Sequence, residues 1–182
     1  MIRTTSARVA IAVATANGMQ VPGWVDEALA AARSGKPDNT AAIWHGLDCG
    51  RVLAAVDRCL PHVRSWLLLT YGADGYASSR ALHRVTSELY RQYAETRTIR
   101  MRPDRVVLAA AAVISDLRQQ YRSPTREGAK PIQYTKAIGV GADRWRDYKP
   151  AVEAMIRIVD DWDRRGLATV ADALPVALKE AV

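Results

Sequence analysis

Apolar residues return along this chain at intervals of three and four, the spacing that places them on one face of an α-helix. The first such stretch, residues 5–16, stops at Asn17-Gly18, a pair that favours left-handed backbone. Val21-Pro22 opens a second, with Trp24, Val25, Ala28, Leu29 and Ala32 at helical spacing, so residues 1–33 read as a helical hairpin followed by the loop 34–39. Leu47, Val52, Leu53, Val56 and Leu60 outline the next helix. Pro61, suited to a first turn, begins another through Val63, Trp66, Leu67 and Leu69, which the Gly72–Gly75 stretch stops. Ser78 is placed to cap a long helix to Thr96 whose apolar stripe is Leu82, Val85, Leu89 and Tyr93, with Arg80, Arg84, Arg91 and Gln92 largely off it. Asp104 to Tyr121 is a further helix, and its alanines 109–112 suit close approach of a packed neighbour. The Ser, Pro and Gly of residues 123–130 make the clearest loop.

Beyond that loop, Pro131 starts a short helix over Ile132–Ile138, Gly139-Val140-Gly141 turns, and a second short helix is predicted over Ala142–Lys149. Pro150 is expected to break it and start a bracing helix with Val152, Met155, Ile156, Val159 and Trp162 as its stripe, because proline cannot make a normal interior backbone bond. Gly166 is expected to end that helix, leaving a last segment, Leu167–Val182, interrupted at Pro175, with Leu174 and Leu178 free to pack inward or serve an oligomer contact. No stretch alternates apolar and polar residues over strand length, and no internal repeat is visible. The expected fold is all-α: a multi-helix bundle with basic helices over residues 1–122, then a C-terminal helix-turn-helix with bracing helices over 123–182.

Composition agrees, since 31 of the 182 residues are alanine, the strongest helix former. The chain is 49% hydrophobic and 25% charged, and no apolar run approaches the roughly 20 residues of a spanning helix, which excludes an integral helical membrane protein and a disordered chain. The formal net charge is +7, and Arg80–Lys149 alone holds 15 basic against 7 acidic residues. Such a concentration suits a polyanion, because neutralising phosphates releases condensed counterions; a solvated arginine-rich surface is the plainer account. Two cysteines, Cys49 and Cys59, are too few for a disulfide scaffold, so a reducing cytoplasm is expected. Arg3 and Arg8 before the apolar Val9–Ala14 resemble a short export signal, which a buried first helix explains equally well. His45, Cys49, Cys59 and His62 offer four soft zinc ligands, but without a close Cys-x-x-Cys pair; packed cysteines are the ordinary alternative, and no cofactor is expected.

The chemistry-bearing constellation is the glycine corner. A helix-turn-helix needs a residue without side-chain obstruction at its turn, apolar residues on either side, and an apolar anchor on the second helix; Ile138, Gly139, Val140 and Trp145 supply these in order. Thr135 fills the place four residues before the glycine where a small residue is expected. With Trp145 inward, Asp143, Arg144, Arg146, Asp147 and Lys149 are candidates for the outward edge. Arginine can grip guanine O6 and N7 in a fork, so Arg144 and Arg146 are the candidate base readers, and Lys136 and Lys149 the candidate phosphate contacts. Asp143 and Asp147 repel phosphate unless they cap the helix, pair with an arginine or accept from a cytosine amino group. A helix-glycine-helix with solvated arginines, in an ordinary helical core, is the competing reading.

Enzymatic signatures are missing: the sequence has no phosphate-binding glycine loop, no nucleophile elbow and no His-Glu metal motif, and its three histidines are scattered, so no catalysis is expected. Asp160, Asp161 and Asp163 read as a solvated face beside Arg164 and Arg165 rather than as a magnesium site.

Trp145, Arg146, Lys149 and Pro150, followed by Val152 and Met155, resemble the C-terminal segment of the late-gene antitermination protein Q family of lambdoid phages, offset by about one residue from the family's spacing. The region Tyr90–Arg122 is similar in layout, with a basic helix end, a linker and an alanine-rich helix ending in tyrosine and arginine. That family carries a four-cysteine zinc finger between the two regions, where this chain has only the loop 122–130, so the resemblance implies a zinc-less form. It implies binding to double-stranded DNA beside a late promoter and to bacterial RNA polymerase, in the host cytoplasm. The alternatives are a DNA-binding structural adaptor such as a phage small terminase subunit, which forms a ring, and a helical protein-interaction module.

Overall fold

A computed structural model describes residues 6–16, 25, 39–96, 101–122 and 128–174. Among them every regular element is helical: α1 Ala7–Ala16, α2 Asn39–Arg58, α3 Pro61–Tyr71, α4 Ser79–Thr96, α5 Pro103–Arg122, α6 Pro131–Ile138 and α7 Trp145–Ala173, with short 3₁₀ turns at Asp74–Tyr76 and Ala142–Arg144. No strand occurs among the described residues, in agreement with the expected all-α class. The expected Asn17-Gly18 stop, all of the predicted second helix but Val25, most of the loop 34–39, most of the loop 123–130 and the segment from Pro175 lie outside the described residues.

The chain forms two compact units, residues 1–78 with 163–182, and residues 79–162. The division differs from the expected 1–122 and 123–182 because α5 and α6 pack together across the loop that suggested a boundary. A loop marks a boundary only where few contacts cross it.

In the first unit α1 is apolar on nearly every side and is buried accordingly, with Ala10, Ile11 and Ala12 fully enclosed. Val9, Ala12 and Val25 form one small cluster against Val13. Val52, Ala55 and Val56 of α2 and Trp66, Leu67 and Leu69 of α3 are also buried; each fully buried large apolar side chain contributes about 1.5–3 kcal/mol relative to exposure. Leu47 and Leu60, read from spacing as members of the α2 stripe, are exposed.

Two expectations about the end of α7 are corrected. Gly166 does not terminate the helix: it is buried within it, and a Cβ there would lie 2.8 Å from both Leu67 Cδ1 and Val63 Cγ1 of α3. The glycine is a contact surface. Nor is Asp163 part of a solvated acidic face. It is buried, and its carboxylate accepts hydrogen bonds from Trp66 Nε1 at 3.0 Å, the Tyr71 hydroxyl at 2.8 Å and Arg8 at 3.2 Å. The Arg8 guanidinium also lies 5.4 Å from the centre of the Tyr71 ring. Nearby, buried Thr15 accepts the Ala73 backbone N–H at 2.9 Å and donates to the Ile11 carbonyl at 2.8 Å. Asp163 thus ties α1, α3 and the end of α7 together through its hydrogen bonds, as a buried carboxylate requires.

In the second unit, Val85, Leu89 and Tyr93 of α4 meet the packing face of α5, namely Val106, Ala109, Ala110, Val113, Ile114 and Leu117. Leu82, in the first turn of α4, is exposed although its spacing assigned it to the stripe. The α5 alanines divide: Ala109 and Ala110 are buried and Ala111 is exposed. Tyr134 and Ile138 of α6 and Tyr148, Ala151, Val152, Met155, Val159 and Trp162 of α7 are also buried.

The predicted break at Pro150 is also corrected, because α7 runs through it. Proline there removes only the bond to the Arg146 carbonyl, and both residues are exposed, so water can serve that oxygen. The predicted short helix Ala142–Lys149 is instead a 3₁₀ turn, Ala142–Arg144, leading into a 29-residue helix.

Candidate nucleic-acid interface

The corner between α6 and α7 begins with Pro131 in the first turn of α6, where its missing N–H costs nothing. Gln133 Oε1 accepts the Lys130 backbone N–H at 2.9 Å, which ties the entering chain to that turn. At the other end Gly139 takes φ 72° and ψ 40°, a left-handed conformation that carries a steric penalty for any residue with a Cβ. The Val140 N–H bonds back to the Thr135 carbonyl at 2.9 Å and closes the helix end. Thr135 is buried, and its hydroxyl donates to the Ile132 carbonyl at 3.1 Å, so its polar group is satisfied within α6 at the place where a small residue is expected.

Aromatic residues hold the corner to the rest of its unit. The Tyr134 and Trp145 rings stack with centres 5.7 Å apart and planes 20° from parallel, joining α6 to the start of α7. The Tyr134 hydroxyl bonds to Asp116 of α5, and the other Asp116 oxygen accepts the Ala129 backbone N–H at 2.8 Å. Burial, and then the neighbouring Asp116 carboxylate, push the Tyr134 phenol far above its ordinary value, so it stays protonated and donating. Arg105 of α5 bonds to the Tyr148 hydroxyl, and its guanidinium lies 5.8 Å from that ring's centre. Asp116 and Arg105 were not foreseen. Each acts on a phenol 18 or 43 residues away in sequence, and periodicity says nothing about which polar group a buried hydroxyl will find.

All five sequence-predicted site residues, Lys136, Asp143, Arg144, Arg146 and Lys149, are exposed, while Tyr134, Thr135, Ile138 and Tyr148 of the same corner are buried. Their states differ. Arg144 Nε donates to Asp147 Oδ2 at 2.8 Å, and this bond, ahead of the general attraction of the same carboxylate, raises the guanidinium above its ordinary value. Lys149 Nζ is 3.7 Å from Glu153 Oε1, a looser pair. Among the described residues no carboxylate pairs with Arg146.

The proposed zinc ligands are not brought together. Among the described residues no group of three or more histidine, cysteine, aspartate or glutamate side chains could hold a metal; the His45 side chain is outside the described set. Cys59 Sγ donates to the Ala55 carbonyl at 3.6 Å, and burial pushes its thiol up. No helix among the described residues is long and apolar enough to cross a membrane. Comparison of the chain with family models, curated proteins and solved structures gave no match.

Proposed function

We propose that the α6–Gly139–α7 corner is a helix-turn-helix that binds double-stranded DNA, and that the protein regulates transcription. One observation carries the reading: the buried positions around a left-handed Gly139 are aromatic or aliphatic save the self-satisfied Thr135, and the cations Lys136, Arg144, Arg146 and Lys149 are left on the surface. A helix that reads bases must be gripped on one side and offer fork-shaped donors on the other. Arg146 and Arg144 are the base-reading residues of this proposal, Lys136 and Lys149 the phosphate contacts, and Asp143 an edge residue. The resemblance to the antitermination family extends it to a late promoter and bacterial RNA polymerase as partner.

The test is duplex binding by fluorescence anisotropy over a salt series. Several phosphate contacts should make log affinity fall against log salt with a slope of about −3 or steeper. A flat, negligible affinity ends the proposal. A protein-interaction or ring-forming adaptor reading draws on a different feature, the exposed Val107 and Leu108 of α5 and Ile132 of α6. The ring-forming form of it requires a large multimer in solution, which mass measurement decides, and the interaction module is favoured by a flat, negligible duplex affinity.

A further inference from the structure

The outward edge carries an acidic residue that a DNA-binding surface would ordinarily exclude. Asp147 is half exposed, in the first turn of α7, three residues on from Arg144 and so on the same side of the corner. An unpaired carboxylate there would repel phosphate. Its oxygen instead takes the Nε–H of Arg144. That choice of nitrogen matters: a guanidinium has five donors in a rigid plane, and one bonded through Nε still offers its two terminal nitrogens side by side.

We infer that Asp147 is a specificity-determining residue of this edge, holding Arg144 so that its paired terminal nitrogens face the O6 and N7 of one guanine. The inference rests on the DNA-binding reading of the corner and deepens it by naming a base. Held in advance, Arg144 loses less rotamer freedom on binding than a free arginine would. Arg146, without a carboxylate partner among the described residues, must be ordered by the DNA itself. Lys149 has no planar fork, and its contact with Glu153 at 3.7 Å fixes no orientation. Stability does not explain the Arg144–Asp147 pair, since so exposed an ion pair adds little to folding.

The consequence runs against simple charge counting. Asp147→Asn removes a negative charge from the edge, so affinity for a mixed-sequence duplex rises; preference for guanine at one position falls about tenfold, the scale of a lost bidentate contact. The experiment is selection from a randomised double-stranded DNA pool with the full chain, followed by anisotropy on the selected duplex and on its single-base variants. Arg144→Ala should lose preference at the same position, Asp147→Glu should retain most of it, and the Asp147→Asn, Arg144→Ala double variant should lose no more than Arg144→Ala. Circular dichroism of each variant checks that helix content is kept. A wild-type chain that selects a site while Asp147→Asn keeps every base preference overturns this inference and leaves the DNA-binding reading standing. A wild-type chain that binds no duplex overturns both.

Discussion

Two residues show how burial decides chemistry. Asp163 is a carboxylate in a core, held by two neutral donors and one guanidinium. Replacing it with alanine removes the carboxylate that the Arg8 guanidinium, the Trp66 N–H and the Tyr71 hydroxyl share, and should cost about 3 kcal/mol in denaturant unfolding, the lower end for breaking a buried pair. Burial raises the Asp163 carboxyl above its ordinary 3.8, against the lowering by Tyr71, Trp66 and Arg8. Between that ordinary value and the raised one the folded chain binds more protons than the unfolded chain, so this group's contribution to stability grows as pH falls through the window and is smallest above it. The difference in unfolding free energy between wild type and Asp163→Asn, followed from neutrality down to about pH 4, should therefore move in favour of the wild type. A constant difference would show that Asp163 keeps its ordinary titration. On the surface, Arg146→Ala should reduce discrimination between duplexes by about 5- to 100-fold with little change in folding. Competition between selected and scrambled duplexes measures it.

Helices here are shaped as much by their glycines as by their stripes. At Gly139, where φ is 72°, a Cβ would meet nothing within 4 Å, so the cost of substitution is purely conformational. Gly139→Ala should lose about 1–2 kcal/mol, and Gly139→Asn clearly less, because asparagine tolerates the left-handed region. Equal losses for the two would mean that space, and not backbone angle, selects the glycine. Gly166 is the opposite case. Alanine is the better helix former by about 1 kcal/mol, yet its methyl would press on Val63 and Leu67 in a closed core, where overpacking costs about 1–3 kcal/mol. Gly166→Ala should thus lower the unfolding midpoint in spite of its propensity. The same helix tolerates Pro150 because the carbonyl it frees belongs to Arg146, an exposed residue where water can replace the lost bond.

Across the whole molecule, charge is divided unequally between the two units. Residues 79–162 hold 16 Lys and Arg against 10 Asp and Glu, so most of the net +7 resides in the unit that contains the corner. Polyanion binding by such a unit is set by the number of phosphates its cations reach. Lys149→Ala should weaken binding to all duplexes alike and make the salt slope shallower by about 0.9, the value of one phosphate contact. If Arg146→Ala and Lys149→Ala behave identically on every duplex, the division of the edge into readers and anchors is wrong.

The all-α class, most helix positions and the glycine turn follow from the sequence alone, because three- and four-residue spacing, alanine content and a left-handed glycine act over a few neighbours. So does the list of surface cations at the corner, since Trp145 and Tyr148 anchor the helix and leave Arg144 and Arg146 on its flanks. Tertiary structure alone decided what depends on distant partners: that Asp163 is core and not surface, that Gly166 is a contact and not a stop, that Asp116 and Arg105 secure the corner's phenols, and that the units divide at residues 78 and 162. Burial is a property of what packs against a residue, and a one-dimensional pattern records the face a side chain takes without recording what stands opposite it.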